Sequence, residues 1–92
     1  MEYIYEQNRI CAVEGGEELG EVTFAQRRLD AQTPQGATTY IINHTYVDDR
    51  LRGHGIAAEL VRRAVEHIES AGGRVEATCS YAQLWLTRNR GQ

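Results

Sequence analysis

Between residues 55 and 71, apolar side chains fall at Ala57, Leu60, Val61, Ala64, Val65 and Ile68, in steps of three and four. Glu59, Arg62, Arg63, Glu66 and Glu69 take the positions between them. A helix turns once in 3.6 residues, so the first set forms one stripe and the second faces water. Such a helix must lie on an apolar surface. Glu59 and Arg63 add an i,i+4 pair of favourable polarity. Gly72 and Gly73 end the segment.

The surface it needs is supplied on both sides in sequence. Residues 37–47 (ATTYIINHTYV) are dominated by β-branched and aromatic side chains and read as a strand. Simple alternation predicts Tyr40, Ile42, His44 and Tyr46 on one face, with Thr39, Ile41, Asn43, Thr45 and Val47 on the other. Residues 74–79 (RVEATC) read as a short strand. Strand, helix, strand from 37 to 79 is a right-handed crossover. Residues 81–89 (YAQLWLTRN) read as a second helix capped by Ser80, with Leu84 and Trp85 docking it on the sheet.

Upstream, residues 3–13 mix apolar and polar side chains as a strand does, and residues 19–25 (LGEVTFA) alternate. Gly15 and Gly16 lie between, which predicts a β-hairpin. Residues 26–36 are polar, hold the only proline and predict a loop. The order is β-β-β-α-β-α. The expected class is α+β: one domain over residues 1–92, with a mixed, mainly antiparallel sheet of about four strands and helices mainly on one face.

At 92 residues the chain hides about 60% of its unfolded surface, enough for a modest core. A net charge of −3 argues against nucleic acid or a polybasic membrane contact as partner. The charge is uneven. Residues 1–26 hold six acids and one arginine, whereas residues 27–92 hold seven acids and nine arginines. Cys11 and Cys79 are the only cysteines, too few for a disulfide-built scaffold, and no CxxC occurs. No metal is expected. No apolar run is long enough to span a membrane and no charged-then-apolar leader is visible, so a reducing cytoplasm with both thiols free is the expectation.

The stretch "RLRGHGIAAEL" (residues 50–60) sets two glycines directly before the main helix. Strand, glycine loop, helix is the general arrangement for holding a phosphate. Backbone N–H groups converge there, and the helix terminus adds about half a positive charge. By themselves, two such glycines before a helix more often mark just a tight turn. The stretch is neither a lysine-containing phosphate loop nor G-x-G-x-x-G, because Ala58 stands where the third glycine would be.

"VDDRLRGHGIAAEL" does resemble the acetyl-CoA signature of the GNAT acyltransferase superfamily, Q/R-x-x-G-x-G/A following a strand that ends in a small aliphatic. Arg52, Gly55 and Ala57 fill the defined positions and Val47 is the aliphatic. Arg50, Gly53 and Gly55 satisfy a second register. Together with "HTYV" and "TCSY", the chain from about 8 to about 88 is similar to very small single-domain GNAT-like proteins.

The resemblance implies acetyl-CoA as co-substrate. Amides of Gly53, His54, Gly55, Ile56 and Ala57, with Arg52 beside them, would hold the pyrophosphate. Backbone around Tyr46 and Val47 would pair with the pantetheine arm as an added strand. The strands at 37–47 and 74–79 would splay to admit it. The chain lacks the helices that usually build the acceptor side, so that side is expected to be open or completed by a partner or second subunit, as in a homodimer. The acceptor would be an amine on a small molecule or a protein.

Three side chains could do chemistry. Cys79, in "TCSY" near a helix N-terminus, could carry the acyl group or merely line the pocket as a buried thiol. His44 could act as general base, or be a histidine bonded within the sheet. Tyr81 could protonate the departing thiolate, or be a packing aromatic. Cys11 reads as core and His67 as solvated. The alternatives to an acyltransferase are a module that binds CoA or acyl-CoA without turnover, and an interaction domain that keeps only the fold.

Overall fold

The structure is a computed structural model that describes residues 1–27 and 38–90. The loop expected at 26–36 therefore lies, from residue 28 onward, outside the described residues. Five strands form one sheet: β1 (Glu2–Tyr5), β2 (Arg9–Glu14), β3 (Glu17–Gln26), β4 (Thr39–Val47) and β5 (Arg74–Ala77), in spatial order β1-β2-β3-β4-β5. Helix α1 spans Ile56–Ser70 and α2 spans Ser80–Arg90. All neighbouring strands are antiparallel except β4 and β5, which run parallel across the α1 crossover. Among the described residues, no helix is long and apolar enough to cross a membrane.

The α+β class and the mixed sheet are as expected, with one strand more than the expected four. The difference lies at residues 3–13, which are two strands. Glu6, Gln7 and Asn8 turn the chain, closed by Glu6 N–H donating to Arg9 O at 2.8 Å. The next hairpin turns at Gly15 and Gly16, whose φ angles of 60° and 81° suit a two-residue primed turn that only glycine adopts freely.

Leu60, Val61, Ala64, Val65 and Ile68 of α1 are buried against Ile10, Ala12, Val22, Phe24 and Ile42 of the sheet. Each fully buried Leu, Val or Ile contributes about 1.5–3 kcal/mol of gross transfer free energy. The helix ends as its sequence demands. Gly72, at φ 86°, donates its N–H to Glu69 O, and Gly73 donates to Ile68 O, the paired bonds of a Schellman cap. Helix α2 docks through Ala82, which is fully buried, and Trp85 packs on the core edge. Leu84 does not dock: it stays 46% exposed.

Strand β4 departs from simple alternation. Thr23 pairs with His44 but Phe24 pairs with Ile42, so Asn43 is an extra residue. Thr23 Oγ1 donates to Asn43 Oδ1 at 2.5 Å across the irregularity. A bulge re-aims every later side chain. Beyond it Thr45 and Val47 join Ile42 and Tyr40 on the helix-covered face, while His44 and Tyr46 turn to the open face. The expected grouping of Tyr40, Ile42, His44 and Tyr46 is thereby corrected.

Candidate functional site

The parallel ladder stops short. Its last pair is Ile42 with Ala77, and the N–H groups of Thr78 and Cys79 both converge on Ile42 O, at 3.0 and 3.3 Å. Strand β4 runs on to Val47 without a partner on that side. On its other side Asp48 N–H donates to Leu19 O at 2.7 Å. In an antiparallel ladder the bonded residues alternate, so Tyr46 and His44 turn their main chains to β3. Thr45 and Val47 then present theirs to the gap. The main chain facing the gap is thus at Thr45 and Val47 rather than at Tyr46 and Val47, with the Thr45 N–H turned toward the Cys79 sulfur.

Cys79 stands at the head of that gap. Its carbonyl accepts from Gln83 N–H at 2.9 Å, the first bond of α2, so Cys79, not Ser80, occupies the N-cap position. Its Sγ is 3.6 Å from Thr45 Oγ1. Burial pushes the thiol's pKa up. Hydrogen bonds to the sulfur from the N–H of Ala82, the Thr45 hydroxyl, and the N–H groups of Tyr81 and Thr45 outweigh that and hold the pKa below the ordinary thiol value. Four donors around one sulfur form a pocket for negative charge.

From Val47 the chain enters a short 3-10 turn at Asp49–Leu51. Asp48 shapes it by accepting from Arg50 N–H at 2.9 Å and from the Arg50 guanidinium. These contacts hold the Asp48 carboxyl down, to about 2. Gly53 and Gly55 follow at φ 85° and 76°, and an added Cβ at either would meet nothing within 4 Å. Packing does not require glycine there; the backbone angle does. Helix α1 begins after Gly55 with no side-chain cap.

His54 N–H is taken by Leu51 O at 3.1 Å. The N–H groups of Gly53, Gly55, Ile56, Ala57 and Ala58 have no acceptor among the described residues. Five unpaired amides at one helix start are an anion cradle in waiting. Arg52, beside the turn, pairs with Asp49 at 2.8 Å in solvent.

A cavity of about 250 Å³ lies between Val47 and this turn, closed on the far side by Ala58 and Tyr81. Tyr81 therefore faces the glycine turn and the end of β4 together. His44 is on the other side of the strand, half exposed, with Nε2 at 3.3 Å from Glu21 Oε2. Glu21 is in turn held by Arg9 at 2.9 Å, and Arg9 also pairs with Glu6 and Glu18. Cys79 and His44 thus border the same stretch of β4 from opposite faces of the sheet. Cys11 is buried, as expected of a core thiol, on the sheet face opposite Ile10 and Ala12.

Thr45 was not among the residues singled out from the sequence. The bulge that aims it at Cys79 has one local sign, a polar asparagine interrupting an apolar run.

These features can be set beside known proteins. The profile of the GCN5-related N-acetyltransferase family matches residues 9–92. A GCN5-like protein of N-acetyltransferase type from Staphylococcus aureus, solved by NMR, superposes with a TM-score of 0.66 at 26% identity, over 98% of this chain and 81% of its own. An aminoglycoside acetyltransferase from an uncultured soil metagenomic sample has the same fold, with a TM-score of 0.71 at 16% identity, over 89% of this chain and 55% of its own. So does a ribosomal-protein-alanine N-acetyltransferase from Brucella melitensis biovar Abortus, with a TM-score of 0.64 at 20% identity, over 88% and 59%. The chain spans roughly half to three-fifths of these last two, as it does of most solved acetyltransferases it resembles. Comparison with curated proteins gives no match. The profile covers nearly the whole chain, including the open edge of β4, the glycine turn and Cys79, and on that ground the chain belongs to the GCN5-related N-acetyltransferases.

Proposed function

We propose that the chain transfers an acetyl group from acetyl-CoA to an amine. One observation carries the reading: the edge of β4 at Thr45 and Val47, which has no strand partner beyond Ile42, runs directly into a turn whose amides at Gly53, Gly55, Ile56, Ala57 and Ala58 lack acceptors among the described residues. The residues present fit coenzyme A. Unpaired amides at a helix start suit its pyrophosphate, and a strand edge with free N–H and C=O groups suits its pantetheine amides as an added strand. Acetyl-CoA supplies the acyl group as an activated thioester.

The remaining roles belong to this chain's side chains. His44, half exposed on the open face, accepts the proton that the amine loses. Tyr81, facing the cavity at the glycine turn, gives a proton to the departing thiolate. Cys79 stands at the head of the gap, where the donors around its sulfur favour negative charge. The acceptor reaches β4 from the face that carries His44 and Glu21.

Thermal unfolding with and without CoA and acetyl-CoA tests the reading. Ligand at about 100 times its Kd adds about 2.7 kcal/mol, or a rise in Tm of about 10–20 °C in a domain this small. No rise at millimolar ligand overturns it. A rise without release of free CoA thiol in the presence of amines leaves a binding module without turnover.

A further inference from the structure

Helix α2 carries a second face that the core does not use. Tyr81, Leu84, Trp85 and Arg88 recur at steps of three and four and so share one side. Tyr81 and Leu84 are 37% and 46% exposed. With Ala58 and Asn89 these residues line a cavity of about 270 Å³. Ala58 and Tyr81 also line the cavity at the glycine turn. The two cavities share a wall and form one groove, running from the turn along α2.

Arg88 lies at the far end of this groove. Among the described residues Arg9, Arg27, Arg50, Arg52, Arg62 and Arg63 each pair with a carboxylate. Arg88 has no such partner among the described residues, and α2 contains no Asp or Glu. Arg74, likewise without a carboxylate partner among them, starts β5 at the opposite end of the sheet. The groove therefore offers free amides first, then an apolar and aromatic wall, then an exposed cation. Coenzyme A offers the complementary sequence of groups: a pyrophosphate, a flat adenine, and a 3′-phosphate that is largely dianionic at neutral pH.

We propose that the exposed face of α2 beyond Tyr81 binds the adenosine end of coenzyme A, with Leu84 and Trp85 beside the base and Arg88 on the 3′-phosphate. Arg88 is then the residue by which the chain distinguishes coenzyme A from its 3′-dephospho form. The guanidinium fork matches two phosphate oxygens at once, which an ammonium does not. This inference rests on the coenzyme A reading given above.

Calorimetric titration of the wild type, Arg88→Gln and Arg88→Lys with coenzyme A and with 3′-dephospho-coenzyme A tests it. Arg88 is exposed and unpaired, so both variants keep the fold. The wild type is expected to bind coenzyme A about tenfold tighter than the dephospho form. Arg88→Gln should abolish that preference by weakening coenzyme A alone, and Arg88→Lys should restore part of it. The preference should shrink as salt is raised. Equal affinity of the wild type for both ligands, or equal weakening of both by Arg88→Gln, overturns the proposal while leaving coenzyme A binding in place. Failure of the wild type to bind either ligand overturns both readings.

Discussion

The sulfur of Cys79 lies 3.6 Å from the hydroxyl oxygen of Thr45, across the gap where β4 has lost its strand partner. The contact joins the last helix to the central strand and brings four donors to one thiol, which lowers its pKa. Thiolate is the reactive form of cysteine. Near neutral pH, Cys79 is expected to react with iodoacetamide well before Cys11, which is buried with its pKa pushed up chiefly by that burial. Thr45→Val removes one donor and should move the midpoint of the Cys79 alkylation profile to higher pH. Peptide mass spectrometry of samples alkylated across a pH series reads both results.

The two thiols also leave opposite marks on stability. The folded Cys79 titrates below its unfolded value, so between the two the unfolded chain binds more protons and stability rises with pH. The folded Cys11 titrates above its unfolded value, so between those two the folded chain binds more protons and stability falls as pH rises. Urea unfolding across this range should show the rise vanish in Cys79→Ala and the fall lessen in Cys11→Ala.

Much of this arrangement was legible in the sequence, because it is local. The stripe from Leu60 to Ile68, the Gly72-Gly73 stop and the Gly15-Gly16 turn follow from helix periodicity and from positive φ angles that favour glycine. The features that sequence reading missed come from pairing. Glu6-Gln7-Asn8 turns the chain without glycine or proline, so β1 and β2 read as one strand. Asn43 is extra only relative to β3, and that register decides which of His44 and Thr45 faces the helices. Cys79 caps α2 because Gln83 bonds its carbonyl, although Ser80 is the better capping residue by type. Pairing partners are set by the whole sheet, and a single strand's sequence does not encode them.

His44 can be tested apart from folding, because its side chain is half exposed and, among the described residues, its charged contact is Glu21. Loss of a positioned general base costs about 10²–10⁴ in rate. His44→Ala should lower kcat by that order while coenzyme A affinity and Tm stay near wild type, and added imidazole should restore part of the rate. A variant with unchanged kcat would remove His44 from the mechanism.

The glycine turn separates a folding role from a binding role cleanly. Gly55 holds φ at 76°, a conformation asparagine accepts more readily than other residues and valine resists. Space is not limiting, since an added Cβ meets nothing within 4 Å. Gly55→Asn is therefore expected to cost about 1 kcal/mol or less of stability, a fall of a few degrees in Tm, whereas Gly55→Val costs more. Both place a side chain at the head of the amide cradle. If the pyrophosphate rests there, Gly55→Asn weakens coenzyme A more than tenfold despite a near-native Tm, as calorimetric titration and melting on the same samples would show. Undiminished affinity in Gly55→Asn would mean that the unpaired amides from Gly53 to Ala58 serve the turn alone.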